Sequence, residues 1–134
     1  MEIDELRALP PFAGMSEVGL IRVAGCAAEL DAEAGQVIAV PDDPGSGMFV
    51  LCDGTVCVEL RGEDLELGPG DFFGELALLV DEGARVARVR AVSAVRCLSI
   101  PRQDFLALVE TEPSFALHLL RELARRLTEA RSVV

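Results

Sequence analysis

The 134-residue sequence predicts one α+β domain in which antiparallel strands lie between a helical preface and two C-terminal helices. Three observations predict it. Between about Ala28 and Ile100, short apolar runs are separated by turn residues: QVIAV, PDDPGSG, MFVLCDGTVCVEL, then RGEDLELGPG. Before this region, and again after Pro101, apolar residues recur at helical spacing. A single chain of this length buries roughly two-thirds of its unfolded surface, enough for a core of its own, so no second domain is required.

The preface, about residues 1–26, begins with a helix from Asp4 to Leu9 that stops at Pro10 and Pro11. Ser16 is placed to cap a second turn carrying Val18, Leu20, Ile21 and Ala24. In the strand region, about 28–100, Asp53-Gly54 between MFVLC and TVCVEL predicts a two-residue hairpin, since both positions tolerate positive φ. Strands resume from Val86 to Ile100. The C-terminal helices, about 102–131, read QDFLALVE and PSFALHLLRELARRLTEAR, with Pro113 and Ser114 starting the second. In that helix Ala116, Leu120, Leu123, Leu127 and Ala130 form an apolar seam at intervals of 4, 3, 4 and 3. The seam is expected to pack on the β-core, with a dimer contact or ligand lid as a second role. Glu122 and Arg126 are spaced to pair.

Composition narrows the function. The formal charge of −11, from 23 acids and 12 arginines with no lysine, is opposite to the positive footprint of a nucleic-acid binder. The start lacks a signal sequence, and no apolar run approaches a membrane span, so a cytoplasmic protein without nucleic-acid or membrane partners is expected. Cys26, Cys52, Cys57 and Cys97 show no paired spacing and read as reduced core thiols. His118 is the only histidine, on a helix without a thiol or acidic partner nearby in sequence, so it reads as a packing or surface residue and no metal site is expected.

The stretch Gly68 to Val89, GPGDFFGELALLVDEGARVARV, carries the chemistry. Gly74 and Glu75 open a helical turn whose first N–H groups lack intrahelical partners and whose dipole favours an anion. Arg85, ten residues after Glu75, offers a planar and permanently charged fork to a phosphate. Glu75, an acceptor only, suits a sugar hydroxyl and not the phosphate itself. A small anionic ligand carrying a ribose satisfies both. The protein's negative charge does not forbid it, because screening over about 8 Å leaves local groups in control.

Helices, glycine-punctuated strands with a helical turn at GELALL, then two helices: this arrangement resembles the cyclic-nucleotide-binding domain family over almost the whole chain. FGELALLVDEGARVA resembles that family's phosphate-binding cassette, from Phe73 to Ala87. The resemblance implies an antiparallel β-roll, a double-stranded jelly-roll-like β-helix. It implies that Gly74, Glu75 and Leu76 offer backbone N–H groups, that Glu75 accepts the ribose 2′-hydroxyl and that Arg85 holds the cyclic phosphate. It further implies that Val58, Leu65 and Leu67 line the base side, and that Arg126, with the neighbourhood of Ala130 and Arg131, forms a lid. Ala84 stands where proline is common, and Val86 where serine, threonine or alanine is common. Val86 lacks a hydroxyl for the phosphate or a guanine amino group, which favours cAMP over cGMP by about 0.5 to 1.5 kcal/mol.

The expected function is therefore a cyclic-nucleotide sensor without chemistry or cofactor of its own, signalling by re-posing its C-terminal helices to a protein partner or a second copy. A ligand-free interaction module with a degenerate cassette is the alternative, as is a domain of a larger regulator, channel or enzyme. A cupin-like enzyme would need histidines and carboxylates around a metal, and one helical histidine cannot supply them.

Overall fold

A computed structural model describes residues 1–39, 47–60, 63–74 and 88–131. The chain opens with α1 (Ile3–Arg7), a 3-10 turn (Pro10–Phe12) and α2 (Glu17–Cys26). The strands follow: β1 (Ala28–Ala32), β2 (Val37–Ala39), β3 (Gly47–Asp53), β4 (Val56–Leu60), β5 (Glu63–Leu67), β6 (Phe72–Phe73), β7 (Arg88–Ala91) and β8 (Val95–Pro101). Helices α3 (Arg102–Thr111) and α4 (Pro113–Arg131) close it.

Glu2 and Glu5 form a capping box that starts α1, which ends earlier than Leu9 because the chain turns into the proline-bearing 3-10 segment. Ser16 caps α2 as expected, its side chain accepting from the Gly19 N–H at 3.1 Å. The same serine has a distant partner. Glu112, the one buried charged residue among the described residues, accepts from the Ser16 N–H and hydroxyl, both at 2.8 Å. Since Glu112 is the joint between α3 and α4, this pair of charge-assisted bonds fastens the C-terminal helices to the start of α2.

The strands make two antiparallel sheets in the orders β1-β8-β3-β6 and β2-β7-β4-β5. Alternation on the first sheet feeds two cores. Met48, Val50, Leu98 and Ile100 meet the helices, while Phe49, Leu51, Val95 and Cys97 face the second sheet, so β3 is buried along most of its length. The helices thus cover one face of the roll.

Two expectations are corrected. Asp53-Gly54 does not close a hairpin, because β3 and β4 belong to different sheets; the turn is a corner between them. It packs on the turn at Val92–Ala94, with the Val92 N–H donating to the Thr55 carbonyl at 2.9 Å and the Thr55 N–H to Ser93 Oγ at 3.0 Å. Gly54 is required there twice over, for its φ of +87° and because a Cβ would stand 2.2 Å from the Ala94 carbonyl oxygen. The hairpin is instead β4–β5, pairing Val56 with Leu67 through Leu60 with Glu63.

The second correction concerns the seam of α4. Leu120 and Leu127 are 65% and 55% exposed, whereas the stripe buried against the fold contains Phe115 and Leu119, with Leu123 packed at its edge. Phe115 stacks on Phe12 at 6.1 Å and meets Phe105 edge-on at 6.0 Å, which fixes the helix's rotation and turns the leucines outward. The predicted Glu122–Arg126 pair is present, at 3.5 Å.

Candidate functional site

The strands on either side of the cassette, β6 and β7, lie in different sheets. At its entry, Phe72 and Phe73 pair with Val50 and Phe49 at the end of the first sheet's strand order. Consecutive strand residues point to opposite faces, so Phe72 enters the helix-side core and Phe73 the inter-sheet core, stacked on Phe49 at 5.0 Å. A tight turn precedes them: Asp71 accepts from the Gly68 N–H at 2.9 Å, while the Gly70 N–H and the Asp71 carbonyl bond to Leu51. Gly74 ends the strand with φ of +90°, and a Cβ there would lie 2.9 Å from the Gly47 carbonyl oxygen. No other residue fits comfortably at that position. Glu75, Leu76, Arg85, Val86 and Ala87 lie outside the described residues, as does GELALL beyond its glycine.

At the exit, β7 enters the second sheet between β2 and β4. Val58 pairs with Leu65 on one side and Val89 on the other, and Val56 pairs with Leu67, so the three predicted base-side residues share one inward face. Val58 and Leu67 are buried, and all three belong to the inter-sheet cluster that holds Phe73. The sequence-named apolar residues are therefore brought into one layer.

Arg126 approaches the cassette's entry from α4, on the helix side of the roll. Its Nη2 donates to the Phe72 carbonyl at 2.7 Å, and its guanidinium carbon lies 4.4 Å from the centre of the Phe72 ring. The side chain thus joins the long helix to the strand that leads into Gly74. His118, two turns earlier, packs on Phe72 as well, with ring centres 6.0 Å apart, and burial pushes its pKa down from the ordinary imidazole value. The side chains of Ala130 and Arg131 lie outside the description. The four cysteines are free thiols, and burial raises their pKa values, that of Cys97 to about 12, which suppresses thiolate chemistry.

One functional candidate is invisible in the sequence. On the outward face of the second sheet, Glu59 of β4 stands directly across from Arg88 of β7. Arg88 Nη2 donates to Glu59 Oε2 at 2.9 Å and to Oε1 at 3.2 Å, Arg88 Nε donates to Oε2 at 3.2 Å, and Arg90 Nε donates to Oε1 at 3.2 Å. Hydrogen bonds from Arg88 and then Arg90 hold the Glu59 carboxyl below the usual carboxylate range. Only strand register brings these residues together. Alternation in VCVEL and RVRA placed charges outward, but nothing local in either segment names the partner.

Among the described residues no three histidine, cysteine or acidic side chains gather as a metal-binding group, and no helix is long and apolar enough to cross a membrane. Two sheets rolled over an apolar layer, with a covering helix pair, define a β-roll. The family model for the cyclic nucleotide-binding domain matches residues 29–112, and the chain belongs to that family. It is 39% identical over 102 residues to the cyclic AMP receptor protein of Thermus thermophilus, covering 72% of this chain and 47% of that protein. It is 36% identical over 109 residues to the cyclic nucleotide-gated potassium channel mll3241 of Mesorhizobium japonicum, covering 81% of this chain and 30% of the channel. Among solved structures, the catabolite activator protein of T. thermophilus superposes with a TM-score of 0.71 at 34% identity, over 91% of this chain and 60% of that one. The regulatory subunit of a cAMP-independent protein kinase A from Trypanosoma brucei shares the fold, with a TM-score of 0.74 at 23% identity over 95% of this chain and 44% of that one. The chain spans half or less of the length of these two curated relatives.

Proposed function

We propose that this chain is a cyclic-nucleotide receptor module that binds cAMP in preference to cGMP and transmits occupancy through α4. The observation that carries the reading is the FGELALLVDEGARVA cassette in a chain 39% identical to a cyclic AMP receptor protein. Glu75 takes the ribose hydroxyl, Arg85 takes the phosphate, and Gly74 and Leu76 supply N–H groups beside Phe73. Val58, Leu65 and Leu67 provide the apolar wall. Ala87 is the alanine of the motif, two residues after Arg85, with Val86 in the small-residue position between them. Arg126 is the helix-borne residue through which a ligand in the cassette shifts α4, since it already binds the Phe72 carbonyl two residues before Gly74. The module performs no chemistry and acts in the cytoplasm, and its strongly acidic surface keeps nucleic acid away. Calorimetric titration with cAMP and cGMP tests the reading. Micromolar or tighter binding of cAMP supports it, while no heat with either nucleotide, in protein shown free of ligand, points to a ligand-free interaction module.

Nucleotide preference has its own test. With Val86→Thr, a hydroxyl becomes available for the guanine amino group, and cGMP affinity is expected to rise about two- to tenfold relative to cAMP. An unchanged ratio in parallel titrations removes Val86 from the explanation.

The exposed seam favours a second element of the proposal, self-association through α4. Leu120 and Leu127, left outside one heptad apart, match the repeat by which a helix packs on its own copy. Sedimentation velocity is expected to show a dimer that Leu120→Glu with Leu127→Glu converts to monomer. A wild type that stays monomeric assigns the seam to a different protein partner.

A further inference from the structure

We propose that His118 is a proton-sensitive catch between α4 and β6: with a neutral imidazole α4 lies on Phe72, and with an imidazolium that hold loosens, no ligand being needed. Two side chains of α4 grip the buried ring of Phe72. The His118 ring stands 6.0 Å from it, centre to centre and tilted by 58°, and the Arg126 guanidinium carbon lies 4.4 Å from its centre. His118 and Arg126 are a little over two turns apart, so one aromatic ring spans the contact between the helix and the strand. Arg126 also donates to the Phe72 carbonyl. One grip carries a permanent positive charge, and the other can acquire one.

The surroundings decide which protonation state the docked helix accepts. His118 is half-buried against a fully buried ring, so its imidazole has given up water on that side, which disfavours the charged form. Among the described residues three charged groups act on it: Glu122 and Arg126 from its own helix, and Asp71 from the turn that leads into β6. The carboxylates attract a proton and Arg126 repels it. Glu122, four residues from both His118 and Arg126, is already engaged: Arg125 donates to it through Nε at 3.1 Å and through Nη2, and Arg126 Nε lies 3.5 Å away. Asp71 likewise accepts from the Gly68 N–H. Their pull on an imidazolium is therefore divided, and burial outweighs it, holding the His118 pKa below the ordinary value. The undocked helix binds the proton more tightly than the docked one. Docking is thus at full strength above the ordinary imidazole value, about pH 6.5, and weakens as the pH falls below it toward the depressed value. The chain has one histidine, and burial moves the four thiols upward, so His118 is the side chain whose ordinary range lies in this window.

Proton NMR and amide exchange on the unliganded full chain, between about pH 5.5 and about pH 7.2, test the catch. The Cε1–H signal of the single histidine is expected to titrate below that of a histidine in a short unstructured peptide. Exchange at residues 115–126, corrected for its intrinsic pH dependence, should run about twofold or more faster at the acid end, while amides of β3 and β8 keep equal protection at both ends. His118→Gln, which cannot take up a proton, should abolish the difference and leave α4 docked throughout. If that variant folds poorly, the wild-type titration and exchange still decide. A midpoint at or above the peptide value, exchange in α4 that is the same at both ends, a pH effect that survives in a folded His118→Gln, or loosening shared equally by β3 and β8 each overturns the proposal. The receptor reading is independent of all four outcomes, since it stands or falls on the nucleotide titration.

Discussion

Arg85→Ala is expected to weaken cAMP binding roughly ten- to 150-fold, since a hydrogen bond to a charged group contributes about 1.5 to 3 kcal/mol and each 1.4 kcal/mol is tenfold in affinity. No other cassette side chain competes with it. Stabilisation of an anion at the start of the helical turn adds only about 0.3 to 1 kcal/mol, and the apolar wall serves any flat base alike. Melting temperature decides what the arginine is for. As a phosphate clamp, Arg85 in the unliganded protein is a cation without its ligand, and its loss leaves the melting temperature near that of wild type. As half of a structural ion pair with Glu75, its removal would lower stability and leave the titration unchanged. Calorimetry and thermal denaturation on the same two samples separate these cases, and an unaltered affinity removes the clamp.

How far the sequence could be read depended on whether each signal was local. Ser16 as a cap and the proline start of α4 each concern a backbone conformation set by near neighbours, and both stand in the structure as expected. Asp53-Gly54 is just as local, and its glycine does adopt positive φ. What the dipeptide could not encode is whether the next strand returns along the first or departs into another sheet. That choice rests on Ser93 and Thr55, whose turns dock although they are 38 residues apart in sequence. The site divides the same way. A cassette contiguous in sequence was legible as a motif, whereas the Glu59–Arg88 pair exists only through pairing between residues 29 apart. Glu112 shows the same limit. Its carboxylate meets Ser16 across 96 residues, and from sequence alone it was simply a residue before proline.

Helix α4 holds the plainest case, because its spacing admitted more than one apolar stripe and the structure buries the aromatic one. Phe115→Ala is expected to cost about 3 to 5 kcal/mol, as large-to-small changes at fully buried aromatic positions do. A domain of this kind has about 5 to 15 kcal/mol in all, so its melting temperature should fall by roughly 10 to 18 °C. The reason is specific. The ring of Phe115 is shared among the 3-10 turn, α3 and α4, and its removal opens a void that three elements must close together. Leu120→Ala on the same helix deletes an exposed side chain and should change monomer stability by no more than about 0.5 kcal/mol. Thermal melts at a dilution that favours monomer compare the two directly. Equal losses would mean that the leucine seam packs on the roll after all. The expected contrast carries a consequence for signalling. Phe115 anchors α4 at its base and Arg126 ties its far half to the cassette's entry strand, so on the proposed receptor reading a change at the cassette would reach the helix far from its anchor. Under the proposed receptor function, displacement there would swing the outward leucines on a fixed pivot, the movement a partner bound along the seam would read.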